Sequence, residues 1–193
     1  MTDLILVIVA TVLVNNFVLT RYLGLFPFLG ASTATGVAMR MSLATTFVLT
    51  LASGLAWPTE RYLLLPFGLE YLRLLAFILI IASTVQFTAT ILRSSRPMLQ
   101  QTLGIYLPLI TTNCAILGVA LLYSQASRSF LETLAYVVGA GLGFCIVMVL
   151  FTSIRERIAV AEVPAPFRDA AIVLITAGMM TLAFLGLAGL SGK

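Results

Sequence analysis

Six apolar blocks dominate the chain, at roughly 4–22, 39–57, 72–92, 99–122, 132–153 and 170–190, separated by short polar breaks. Each block is close to the ~20 residues that an α-helix needs to cross a bilayer. The pattern therefore predicts an all-α integral membrane protein of six transmembrane helices in a single domain over residues 1–193. Trp57-Pro58 is expected to close the second span, and Arg93 to Pro97 separates the third from the fourth. The longest polar loop runs from Arg155 to Asp169, where Val163-Pro164-Ala165-Pro166 cannot continue a helix because proline lacks the N–H donor. Met1-Thr2-Asp3 lacks the positive region of a cleavable signal peptide, so the first block is expected to remain as a span.

The halves echo each other. Leu23-Gly24-Leu25-Phe26-Pro27-Phe28-Leu29 is similar to Leu103-Gly104-Ile105-Tyr106-Leu107-Pro108-Leu109 with one residue inserted. Both segments lie near asparagines, Asn15 and Asn16 in the first half and Thr111-Thr112-Asn113 in the second. Three spans per half is an odd number, so the halves, about 1–96 and 97–193, are expected to form two inverted three-helix repeats with helices 1 and 4 interrupted. Interrupted helices in matching positions are a feature of folds that build a site near the bilayer midplane. An unpartnered asparagine in hydrocarbon costs several kcal/mol, so Asn15, Asn16, Thr111, Thr112 and Asn113 are expected either to tie helices together or to surround a functional centre beside Gly24, Pro27, Gly104 and Pro108. Gln86, Thr88 and Thr90 are read as ordinary helix–helix glue.

Composition removes whole classes of function. The chain is 61% hydrophobic and 9% charged, against about 25% charged residues in soluble domains, which excludes a soluble enzyme. The net charge of +4 is spread too thinly for a nucleic-acid footprint and reads instead as topology. With six spans, one side carries Arg61, Arg73, Arg128 and Lys193, and the other carries Arg21, Arg40, Arg93, Arg96, Arg155, Arg157 and Arg168. The second side is thus expected to be cytoplasmic, with both termini outside. There is no histidine, hence no imidazole ligand or base. No carboxylate is expected inside a span: Glu132 sits at a boundary, and Glu60 and Glu70 flank a loop. That argues against a self-contained proton path.

Cys114 and Cys145 both lie in apolar segments and suggest no disulfide framework. Cys145 reads as helix packing. Cys114, beside the Pro108 break, is either a small buried hydrophobe or a thiolate ligand to an iron–sulfur cluster, which would need further thiolates from elsewhere.

Three motifs carry a family resemblance: Asn15-Asn16-Phe17-Val18-Leu19, Leu107-Pro108-Leu109-Ile110-Thr111-Thr112-Asn113-Cys114-Ala115, and Ile154-Arg155-Glu156-Arg157 followed by Val163-Pro164-Ala165-Pro166-Phe167-Arg168. Together they resemble the RnfA family of the Rnf electron-transport complex and, more distantly, subunits D and E of the sodium-pumping NADH:quinone reductase. The resemblance covers essentially the whole chain. It implies a membrane component of an ion-translocating ferredoxin:NAD oxidoreductase in the bacterial inner membrane, paired with the homologous RnfE protein of opposite orientation and working with subunits B, C, D and G. It further implies a [2Fe-2S] cluster shared with that partner, each chain giving two cysteines from its broken helices. Cys114 matches the second ligand position. Phe26 stands at the first, and phenylalanine cannot ligate iron. Two other readings of the residues stay open: a small inverted-repeat secondary transporter binding a solute at Asn15, Asn16 and Asn113, and an assembly scaffold without a cofactor.

Overall fold

The computed structural model describes residues 7–8, 10–12, 16–21, 23–24, 35–95, 107–124, 129–162, 164, 167–168 and 170–191. Asn15, Phe26, Pro27, Gly104 and both termini lie outside the described residues. Within them every regular element is helical. Helical residues 7–8 and 10–12 precede a short helix α1 (Phe17–Thr20); α2 (Thr35–Thr59) continues as a π-helical turn (Glu60–Leu64). A 3-10 turn (Glu70–Leu72) leads into α3 (Arg73–Ser95), followed by α4 (Leu107–Thr111), α5 (Cys114–Ser124), α6 (Phe130–Ala159) and α7 (Ala170–Ser191). Segments Thr35–Leu64, Glu70–Ile91 and Phe130–Ala159 are long and apolar enough to cross a membrane. Their outer faces are apolar too, with Leu43 and Phe47 on α2, Leu79 and Phe87 on α3, and Leu142 and Ile146 on α6 all exposed. A helix that is apolar all round belongs in lipid or a large core. Hydroxyls are silenced locally, as that setting requires: Thr45, Thr84, Thr152 and Thr181 each donate to the carbonyl four residues back, at 2.7–2.9 Å.

The centre of the fold is the antiparallel pair α2–α6. Thr35 N and Oγ1 both donate to Glu156 Oε1 at 2.8 Å, Thr46 Oγ1 donates to Gly141 O at 3.0 Å, and Trp57 packs edge-on to Phe130 at 5.3 Å. One residue number rises as the other falls, so the start of α2 and the end of α6 share one end of the molecule. The end of α2 and the start of α6 share the other end. Glycines set the spacing: a Cβ at Gly141 would run into Thr46, and one at Gly139 would lie 3.2 Å from the Ile8 backbone. The small residues of the fifth block thus make contacts within this chain. At its start α6 carries a capping box, with Ser129 Oγ accepting from Glu132 N at 3.3 Å and the Glu132 carboxylate accepting from Ser129 N at 3.4 Å, so Glu132 does sit at a boundary.

Two expectations need correction. Trp57-Pro58 does not end the second span, since α2 runs through Pro58 into the π-helical turn, where Leu65 N donates to Glu60 O at 3.0 Å. Proline removes one donor, and a wider turn resets the register after it. Glu60 consequently does not flank a loop: its side chain is 4% exposed, and Arg73 Nε donates to its Oε1 at 2.7 Å, a pairing reinforced through Arg73 Nη2. In the fourth block an interruption falls at Thr112–Asn113, between α4 and α5, while the chain before Leu107, on which the break read at Pro108 depends, lies outside the described residues. In α3, Thr88 and Thr90 bond back to Thr84 O and Gln86 O, and Gln86 is exposed.

Candidate functional site

Two asparagines terminate the helix breaks by one shared device. Asn16 Oδ1 accepts from Val18 N at 3.1 Å, and Asn113 Oδ1 accepts from Ala115 N at 3.0 Å. In each case a short polar side chain satisfies an N–H that the start of a helix leaves unpaired. Asn16 is further committed, because its Nδ2 donates at 3.1 Å to both Val12 O and Gly143 O. Asn113 is buried, and its Nδ2 has no partner among the described residues.

Gly24 brings the breaks together. It adopts φ +85°, a conformation that glycine accepts without strain. Its N–H donates to Cys114 Sγ at 3.1 Å. A Cβ at this position would lie 3.1 Å from Ala115 Cβ, 3.3 Å from Asn113 Oδ1 and 3.4 Å from a Phe144 ring carbon. Leu23 packs over Gly118, and Phe144 stacks on Phe17 with centroids 6.4 Å apart. Residues 23–24 are thereby laid along the first turns of α5, against a wall supplied by α6.

Cys114 is exposed. With Thr111, Thr112, Asn113 and Leu117 it lines a cavity of about 250 Å3, whose far wall is Ile78, Ile81 and Ala82 of α3. The structure thus joins Cys114, Asn113, Thr111 and Thr112 and adds the Gly24 N–H, a backbone donor that no side-chain pattern announces. Gly24's place in the repeated Leu-Gly segment was the available signal. Asn16 sits behind Phe144, at Gly143, with its amide hydrogens spent on backbone; Asn15 and Phe26 lie outside the described residues. Cys145 is elsewhere, with Thr46 Oγ1 3.3 Å from its sulfur.

Chemically, the site offers one accessible sulfur with an N–H aimed at it, the arrangement that stabilises sulfur carrying negative charge. No group of three or more Cys, Asp or Glu side chains converges among the described residues. A single sulfur falls short of the two-cysteine share in a [2Fe-2S] cluster that the resemblance implies for each chain.

Comparison with known proteins places this geometry in a family. The chain matches the family described as Rnf-Nqr subunit, membrane protein, over residues 4–191. It is 60% identical over 190 residues, 98% of both chains, to the A-type subunit of the ion-translocating oxidoreductase complex of Edwardsiella ictaluri (strain 93-146). It is 59% identical, at the same coverage, to the proteins of that name from Shigella boydii serotype 4 (strain Sb227) and Yersinia enterocolitica serotype O:8 / biotype 1B (strain NCTC 13174 / 8081). The chain belongs to the Rnf-Nqr family of membrane protein subunits.

Proposed function

We propose that this chain is the A-type membrane component of an ion-translocating ferredoxin:NAD oxidoreductase, lodged in a bacterial inner membrane with both termini outside. It acts only within the complex, beside the homologous RnfE protein and subunits B, C, D and G. Its two halves form inverted three-helix repeats whose breaks meet at Cys114. The observation that carries the redox role is the exposed Cys114 sulfur, 3.1 Å from the Gly24 N–H, at the meeting of two interrupted helices. Cys114 is the chain's candidate ligand to a [2Fe-2S] cluster shared with its partner, a group that supplies one-electron transfer when bound. With Phe26 at the other position, the remaining ligands have to come from elsewhere.

The test is electron paramagnetic resonance with iron quantitation on the purified complex, comparing wild type with Cys114→Ser. The expected result is loss of a reduced [2Fe-2S] signal from a complex that still assembles. If every iron signal and normal turnover persist, Cys114 is packing and the chain is a scaffold or carrier. The hydrogen bonding of Asn16 weighs against the carrier reading, because a side chain whose two N–H groups are both committed to backbone carbonyls has no donor for a solute. Robust solute uptake into liposomes by this chain alone would restore that reading.

A further inference from the structure

The two asparagine breaks differ at one atom, and the difference falls beside Cys114. Asn16 commits its amide nitrogen to Val12 O and Gly143 O, at 3.1 Å each. The corresponding Nδ2 of Asn113 is buried and has no hydrogen-bond partner among the described residues. We propose, resting on the redox reading of Cys114, that this nitrogen donates a hydrogen bond to the electron-rich group that Cys114 holds. Asn113 is then a positioning residue for that group and helps to set its reduction potential.

Local geometry fixes which end of the carboxamide is the donor. The Ala115 N–H requires an acceptor, and Oδ1 supplies it at 3.0 Å. Turning the amide over would set two donors against each other. Oδ1 also lies 3.3 Å from where a Gly24 Cβ would be, and the Gly24 N–H reaches Cys114 Sγ at 3.1 Å. The Asn113 carboxamide and the Cys114 sulfur therefore border the same glycine. Only 3% of Asn113 is exposed, and a buried N–H without an acceptor is both costly and rare.

The cavity leaves few sources for that acceptor. Asn113 and Cys114 line it together with Thr111 and Thr112, both of which are already engaged. Its opposite wall, Ile78, Ile81 and Ala82, offers no polar side chain. No Asp, Glu, Lys or Arg is among the described lining residues. A hydrogen bond formed here works in a low-dielectric setting, where it is stronger than in water. An acceptor brought in by the group on Cys114 satisfies the orphaned N–H.

Hydrogen bonds to the sulfurs of an iron–sulfur cluster are among the levers on its reduction potential. One electron arriving from ferredoxin adds one negative charge at the group on Cys114. Asn113 keeps its proton throughout, and no covalent bond forms or breaks. Its N–H bond strengthens as the acceptor becomes more negative, so the donor favours the reduced state. The Gly24 N–H acts on Sγ in the same sense, but it belongs to the backbone, whereas the Asn113 donor can be removed by substitution.

The experiment is a redox titration of the whole purified complex, followed by electron paramagnetic resonance with iron quantitation. It compares wild type, Asn113→Ser, Asn113→Thr and Cys114→Ser. Serine and threonine are both good N-caps, so each keeps an acceptor for Ala115 N while lacking the amide donor. Both Asn113 variants should hold wild-type iron. At the wild-type midpoint their reduced-to-oxidised ratio should be lower by about tenfold, which is ~59 mV for a one-electron couple. A residue that merely capped α5 would leave the midpoint where it is. Either variant carries the test if the other fails to assemble. In the wild-type complex grown with amide-15N asparagine, electron–nuclear double resonance should show a weak nitrogen coupling to the reduced signal, a result independent of both variants. A midpoint that is unmoved or raised, loss of the iron, or no such coupling overturns the proposal. If Cys114→Ser still abolishes the signal in that event, the redox reading of Cys114 stands without it. A signal that survives in Cys114→Ser removes both.

Discussion

Removing Arg73 and removing Glu60 should not cost the same. Glu60 is 4% exposed at its side chain, with Oε1 held by Arg73 and Oε2 without a partner among the described residues. Arg73→Gln would leave that carboxylate buried with no cation beside it. Breaking a buried pair from one side costs about 3–5 kcal/mol, because the surviving charge has lost its compensation. Arg73 is better placed to survive alone. Its side chain is 19% exposed, and its Nη2 lies 3.9 Å from the Oε2 of Glu70, itself 60% exposed. In Glu60→Gln the amide oxygen can still accept from Arg73 Nε, while the guanidinium turns to Glu70 and water. The loss should be about 1–2 kcal/mol, that of a weakened hydrogen bond. The double variant removes both charges and should be more stable than the sum of the single losses predicts, with a coupling of at least ~1 kcal/mol. The assay is equilibrium unfolding of the purified complex in mixed micelles, for wild type, both single variants and the double variant. Equal losses from the two single variants, or strict additivity in the double, would refute the view that Glu60 is the dependent partner.

Other consequences are open to similar checks. Gly24 and Gly68 both have positive φ, +85° and +65°, but only Gly24 is crowded. Gly68→Ala should cost about 1 kcal/mol for backbone strain alone, and Gly24→Ala measurably more; equal melting temperatures for the two variants would mean that Ala115 and Phe144 yield freely. Gly141→Ala drives a methyl into Thr46 and should destabilise by about 1–3 kcal/mol, with partial rescue by Thr46→Ala, so a double variant no better than Gly141→Ala would place the strain elsewhere. Phe26→Cys should add the second sulfur that the family resemblance implies and raise iron bound per complex, measured by metal analysis. Unchanged iron would show that Phe26 is not what limits ligation.

What the sequence disclosed and what it hid divide along physical lines. Membrane character was legible because it is a bulk property, carried by runs such as residues 132–153 that no single substitution disguises. The second break was legible in kind, since asparagine after two threonines in an apolar run needs a local hydrogen-bond partner, and Asn113 has one in Ala115 N. Pro58 misled, because proline in an apolar run looks like an interruption from sequence alone. The turns beyond it persist because Trp57 packs on Phe130 and Glu60 pairs with Arg73 across thirteen residues, contacts that a local reading cannot register. Gly24 was flagged by the repeated Leu-Gly segment, but the role of its N–H was not, since a backbone donor acquires its role from the fold alone.

The two asparagine caps share a geometry and differ in what surrounds them, and that difference orders the site. At the first break Asn16 is anchored: beyond its cap, both Nδ2 hydrogens reach backbone carbonyls, and the one on Gly143 fastens the break to α6. Phe17 and Phe144 stack immediately beside it. At the second break Asn113 has, among the described residues, only its cap, and the residues on either side, Thr112 and Cys114, are exposed. Movement at the first break would have to give up two interhelical contacts with α6, whereas among the described residues Asn113 holds its own helix without being held by another through its amide. A sulfur that met groups from outside the chain, as proposed for Cys114, would belong at the second kind of break. The Gly24 N–H then acts as a reference point, since it projects from the anchored segment onto Cys114 Sγ and fixes the exposed sulfur relative to the part of the fold that is held.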